Sequence, residues 1–228
     1  MLAAGFTDVV ISNLAPHGGH QDYRPYAWEH QDIENLGYPD RSFDIVIVHS
    51  GLHHCYNPIR AMGELCRVAR KQMIAFEPYE TWFTRLGAVL GYGQQYEDQA
   101  VHGCGGNSGG VANTEIPNYV YRFHEWEVRK FARSFRPYAE SPVRFYRALR
   151  VNIGRFRALR SSLLRYSFAL VVPLLQGLSR LIPSLNNNIC FVIQNPGPEH
   201  FHKWIRLEND ELRVNRAYLV AKYGKIPE

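Results

Sequence analysis

The first half of the chain alternates between apolar runs and amphipathic stretches. Thr7–Ser12 (TDVVIS) is rich in β-branched residues and predicts a buried strand. Gly5 before it and Asn-Leu-Ala-Pro after it are stop and turn signals, so Met1–Ala4 reads as the last turn of a helix. A polar loop with Gly18-Gly19 leads to a short segment at Ala27–Ile33. Ser42–His49 (SFDIVIVH) is then a nearly continuous apolar run, the pattern of a strand covered on both faces. Asn57-Pro58 supplies a preferred N-cap and first helical residue, and Ile59, Met62, Leu65, Cys66 and Ala69 follow at helical spacing through Arg70. Gln72–Phe76 predicts the next strand. Strand, helix, strand at this spacing indicates βαβ units and an α/β domain with a largely parallel sheet.

The second half is less regular. Tyr79–Leu90 and Phe123–Phe135 predict helices, and Gly91–Asn118 a long loop rich in Gly and Asn. Loops of that length in a compact domain are commonly functional. Pro142–Ala148 and Asn188–Gln194 predict strands that form an antiparallel edge to the sheet. Arg155–Leu185 predicts helix interrupted at Pro173, and His200–Tyr223 a charged amphipathic helix. Three regions result: 1–78, 79–198 and 199–228. No internal repeat is present.

At 46% hydrophobic and 21% charged residues, the 228-residue chain has a globular composition, which excludes a disordered or fibrous protein. Its four cysteines form no CxxC pair, so neither a disulfide framework nor a zinc site is expected, and a cytoplasmic setting follows. The net charge of +5 is unevenly placed. From Ser141 to Pro198 there are eight arginines and no acidic residue, which favours anionic partners. Within this stretch Tyr166–Ser179 carries no charge, but its 14 residues fall short of the ~20 that a spanning helix needs. Two readings stand for Arg155–Leu185, a helix covering the sheet or one in peripheral contact with a membrane surface. No stacking-aromatic module points to nucleic acid.

Several linked stretches carry a resemblance. Asp32-Ile33-Glu34-Asn35-Leu36, Pro39-Asp40-Arg41-Ser42-Phe43-Asp44-Ile45-Val46, Leu52-His53-His54-Cys55-Tyr56-Asn57-Pro58, Glu64-Leu65-Cys66-Arg67-Val68 and Phe76-Glu77-Pro78 occur in this order. Together they resemble the class I S-adenosylmethionine-dependent methyltransferases. The similar branch has the pattern LPFPDxSFDVV, then LxHxxDP, ELxRV and a strand ending in EP. The resemblance implies a Rossmann-like, mostly parallel sheet with an antiparallel edge strand. It also implies S-adenosylmethionine as cofactor. The family's first strand, glycine-rich loop and first helix have no match before Gly5, and the resemblance places them upstream of Met1. Without that first strand, Thr7–Ser12 and Phe43–Val48 must pair directly or leave unpaired backbone groups between them. The glycine run Gly103–Gly110 reads as a loop and not as a displaced form of that motif.

The resemblance also implies site residues. Asn13 stands where the family has an acidic residue for the ribose hydroxyls, and Asp32 where a carboxylate faces the adenine amino group, with Ile33 beside it. His49 and Ser50 end the strand that lines the methionine portion. For a hydroxyl acceptor a base is needed, and His54, His49 and Glu77 are the candidates at strand ends. Tyr96, Asn113, Asn118, Tyr119 and Arg122 combine rings, amides and a cation in a loop setting and are the candidates for holding the acceptor. His53-His54 lacks a ligand partner at i+3 or i+4, so no metal is expected. The expected activity is methyl transfer to a small molecule, a glycan or a lipid intermediate. The alternative is a catalytically silent Rossmann-like domain used for binding or assembly.

Overall fold

The structure, a computed structural model, describes residues 5–14, 23–90, 94–151, 162–209 and 211–226, and of 162–170 only the backbone. Met1–Ala4, Gly18-Gly19 and Arg155–Arg160 lie outside them. Strands β1 (Val10–Asn13) and β2 (Ala27–His30) pair in parallel as a two-stranded sheet. The main sheet contains β3 (Phe43–His49), β4 (Ala69–Pro78), β5 (Val143–Ala148) and β6 (Asn188–Gln194) in the order β3-β4-β6-β5. β3 and β4 are parallel, and β6 is antiparallel to both β4 and β5. Three of the four strands therefore run the same way. The reversed strand β6 sits inside the sheet, and β5 takes the edge.

Helix α1 (Pro58–Val68) starts as its sequence dictates: the Asn57 side chain accepts from the Arg60 N–H at 3.0 Å and Pro58 fills the first turn. It ends two residues before Arg70 because Ala69 is already extended and paired with Phe43, so β4 begins without a loop. Ala61, Met62, Leu65 and Cys66 of α1 pack on Met73 and Ala75 of β4 and on Ile189, Phe191 and Ile193 of β6. Phe123, Val128 and Ala132 complete this core, the last two from helix α4 (Glu125–Phe135).

The two-sided burial expected of β3 does not occur. Val48 is buried, but Ile47 is 41% exposed, as is Phe76 on β4, which pairs with His49. α1 covers one face of this part of the sheet, and no described element covers the other equally well.

Helix α2 (Trp82–Val89) and the short helix α3 (Asp98–Gly103) precede the glycine-rich loop. Helix α5 (Ser162–Leu181) continues through Pro173 without a break, a correction to the interruption expected there. The predicted C-terminal helix is also corrected. Residues 205–214 form a hairpin, β7 (Ile205–Glu208) and β8 (Glu211–Val214), followed by the short helix α6 (Arg216–Tyr223). Ile205, Leu207, Leu212 and Val214 alternate with polar residues, which is the period of a strand, and Asn209 takes the positive φ of 50° that a tight turn requires.

Candidate functional site

β1 and β3 do not pair. They form opposite walls of a cleft of about 540 Å³, lined by Val10–Leu14 on one side and Phe43 and Ile45–Gly51 on the other. Of the two outcomes expected for Thr7–Ser12 and Phe43–Val48, the structure takes separation over direct pairing. Gln31–Glu34, Leu36 and Tyr38 close one end, and Gly109, Gly110, Ala112 and Asn113 approach from above. The volume lies within the range of small-molecule sites, and the cleft runs the length of both strands and includes their carboxyl-end residues Asn13, Leu14, His49 and Ser50.

All five residues proposed to hold a cofactor line this cleft: Asn13, Asp32, Ile33, His49 and Ser50. Asp32 is exposed, and one carboxylate oxygen accepts from the Glu34 N–H at 2.9 Å. His49 is also exposed, beside the Phe76 ring at 5.8 Å. Ser50 has a φ of 53°, and its N–H donates to the Phe76 carbonyl at 2.8 Å, which turns the chain away from the sheet.

Two carboxylates hold the loop that follows β3. Glu34 accepts from the N–H groups of Tyr56 and Asn57 at 2.7 and 3.2 Å. Glu77, 1% exposed, accepts from Gly51 and Leu52 at 3.0 and 2.8 Å through Oε1 and meets His53 Nδ1 at 2.5 Å through Oε2. Glu77 is thus engaged with buried loop partners, and it does not line the cleft. Burial pushes the His53 imidazole down, but its bonds to Glu77 and Glu97 outweigh this and raise it to about 9. Glu97 is held below the usual carboxylate range, first by the His53 bond. His54 lines the cleft and places Nε2 3.2 Å from Glu97 Oε2. Cys55 also lines it, but burial pushes its thiol up to about 12, so it is no thiolate nucleophile near neutral pH.

Of the proposed acceptor residues, Asn113 alone lines the cleft. Tyr96 and Tyr119 are exposed and stack edge to face at 5.6 Å. Asn118 is 3% exposed and donates to the His53 carbonyl at 3.0 Å. Arg122 donates to the Gln94 carbonyl at 2.5 Å, bracing the loop from within. The glycine run contributes more than its sequence promised. Gly109 has a φ of +92°, and a Cβ on Gly110 would lie 1.8 Å from the Ile116 carbonyl oxygen. These glycines let the loop double back, so that the turn Val111–Asn113 packs against Leu52–His54 at the cleft mouth. Glu97 had no local signal, since no motif marks it and only the fold brings it to the histidines.

Residues 3–76 match the family described as "Methyltransferase domain". No curated protein matches the chain. Among solved structures, the chain is similar to magnesium protoporphyrin IX methyltransferase from Synechocystis PCC 6803, described with bound SAH. The identity is 13%, over 86% of this chain and 67% of that one, with a TM-score of 0.46. A Bacillus halodurans C-125 protein assigned as a methyltransferase has 13% identity over 86% of both chains, with a TM-score of 0.46. One chain of a Haloferax volcanii complex, between the Trm112 methyltransferase activator and a protein assigned as a methyltransferase, has 13% identity. That match covers 75% of this chain and spans 62% of the Haloferax chain's length, with a TM-score of 0.43. The matched segment, 3–76, is about a third of the chain and contains β1, β2, β3, α1 and most of the cleft wall.

Proposed function

We propose that the chain is an S-adenosylmethionine-dependent methyltransferase that holds its cofactor in the cleft between β1 and β3. The observation that carries this reading is convergence: Asn13, Asp32, Ile33, His49 and Ser50, dispersed over the first 50 residues, all line one cleft. The lining fits a nucleoside-type ligand in kind. Ile33, Leu36 and Val46 offer apolar contact for a base, while Asp32 and Asn13 offer polar groups for amino and hydroxyl functions. The cofactor would supply an electrophilic methyl group on a sulfonium. The protein's part is to orient the acceptor, exclude water and take up a proton where the acceptor is a hydroxyl. His54 and His49 are the proposed bases, since both line the cleft and a neutral imidazole has a ring nitrogen that can accept a proton. Glu77 has the weaker case, because its oxygens already hold the loop.

Calorimetric titration of the intact chain with S-adenosylmethionine tests this reading. Saturable binding is expected, and Asp32→Ala should weaken it about tenfold, the loss of one hydrogen bond to a charged group. Absence of binding would overturn the reading and leave the silent Rossmann-like domain in its place.

The acceptor is proposed to be a small molecule, a glycan or a lipid intermediate, with Asn113 the acceptor residue nearest the cofactor position. Peripheral membrane contact gains support from α5 and α2. Val172 and Ser179 of α5 are buried, yet Leu174 and Leu181 are 72% and 80% exposed. Trp82 and Val89 of α2 are exposed as well, and α2 packs against the turn Pro183–Leu185 that follows α5. No helix among the described residues is long and apolar enough to cross a membrane. Co-sedimentation with anionic vesicles at low salt is expected and should fall as salt screens the arginines. If the chain stays in the supernatant at low salt, α5 is a cover helix.

A further inference from the structure

His53, His54 and Glu97 form a cluster at the cleft wall that no local motif announces. Glu97 Oε2 lies 3.6 Å from His53 Nε2 and 3.2 Å from His54 Nε2. One ligand atom from each residue falls within 4.8 Å of the others. A tetrahedral ion with bonds of about 2.0–2.1 Å holds its ligand atoms about 3.3 Å apart, so both measured separations already approximate a coordination edge. The surroundings support the cluster. Glu77 Oε2 sits 2.5 Å from His53 Nδ1, an arrangement that holds a proton on Nδ1 and turns Nε2 toward Glu97, where a metal ion would displace the Nε2 proton.

A second observation is independent of these distances. Asn118 is 3% exposed, and its Nδ2 reaches the His53 carbonyl at 3.0 Å and Glu97 Oε2 at 3.4 Å. Its Oδ1 is buried with no hydrogen-bond partner among the described residues. The amide that contacts Glu97 therefore has one acceptor position still open for a further donor such as a water.

We propose that His53, His54 and Glu97 bind a divalent transition-metal cation, zinc or one of similar ligand preference, with Glu77 orienting His53. Two imidazoles and one carboxylate suit such ions, whereas magnesium and calcium prefer all-oxygen sets. Three protein ligands leave further coordination positions open. Because His54 lines the cleft, an ion there would lie beside the acceptor region, where it could polarise an oxygen and lower the pKa of a hydroxyl. The binding itself does not depend on the methyl-transfer reading.

The test uses the intact chain, stripped with chelator and titrated with Co(II) by visible absorption and with Zn(II) by calorimetry. Wild type should take up one more equivalent of each ion than His54→Ala or Glu97→Gln, above the weak background of the ten histidines in the chain. Glu77→Gln, which keeps an acceptor oxygen for Gly51 and Leu52, should weaken the tight site about 10–100-fold. Circular dichroism confirms that each variant compared is folded, and the two single-ligand variants are independent of one another. Equal uptake by wild type and both folded ligand variants would overturn the proposal and leave His53 as a proton-bearing link between two carboxylates. S-adenosylmethionine titration of the same stripped protein is a separate arm, so loss of one property is distinguishable from loss of the other.

Discussion

Replacing Glu77 with alanine is expected to destabilise the protein by about 3–5 kcal/mol, the cost of removing one partner from a buried charged pair. The carboxylate is 1% exposed and has three loop partners, the N–H groups of Gly51 and Leu52 and the His53 ring. Alanine strands two backbone donors and a buried imidazole, each costing about 1–3 kcal/mol when left unpaired. The net loss stays below the simple sum because the loop relaxes and admits water. Glu77→Gln retains a carbonyl oxygen for Gly51 and Leu52 and should fall between alanine and wild type. Urea denaturation measures both. A loss below about 1 kcal/mol for alanine would show that the loop after β3 is held by other contacts, with Glu34 the first candidate.

Phe123→Ala is expected to cost a similar amount, about 3–5 kcal/mol, by opening a cavity in the core. The ring is fully buried, 5.5 Å from Phe191 and 4.9 Å from Tyr121. Its backbone is equally committed: the Phe123 N–H donates to the Pro78 carbonyl at 2.9 Å and its carbonyl accepts from Glu80 at 3.0 Å. This residue anchors the segment that carries Asn118, and Asn118 in turn pairs with Glu97 through a backbone bond of 3.0 Å. The variant should therefore become more sensitive to trypsin at Arg122 as well as less stable. Reduced stability with unchanged cleavage at Arg122 would show that the Gln94–Arg122 segment is held independently of the core ring. Either loss is a large fraction of the roughly 5–15 kcal/mol that keeps a domain folded.

Much of the first half was legible residue by residue. The apolar run at Phe43–His49, the Asn57-Pro58 cap and the ordered motifs through Glu77 led to strands and a helix that the structure contains within a few residues. Those features are local, because capping, β-branching and periodicity act between neighbours in the chain. In the C-terminal region two periods compete. Ile205, Leu207, Leu212 and Val214 alternate over too few residues to stand out against the charged helical pattern around them, and pairing between β7 and β8 settles the matter. The edge of the main sheet was similarly open, since nothing local says that β6 inserts between β4 and β5.

By itself, the sequence determined the resemblance carried by residues 3–76, the order of strands and helix in that half, and which residues stand at strand ends. Tertiary structure alone decided that Glu77 is a buried loop holder and that Asn118 and Arg122 brace the loop from within. It also decided that Gly109 and Gly110 bring a distant turn to the cleft, and that Glu97 meets His53 and His54. The physical reason is the same in each case. These contacts join segments far apart in the chain, and their geometry depends on sheet order and on a loop that only glycine can fold back, neither of which local periodicity encodes.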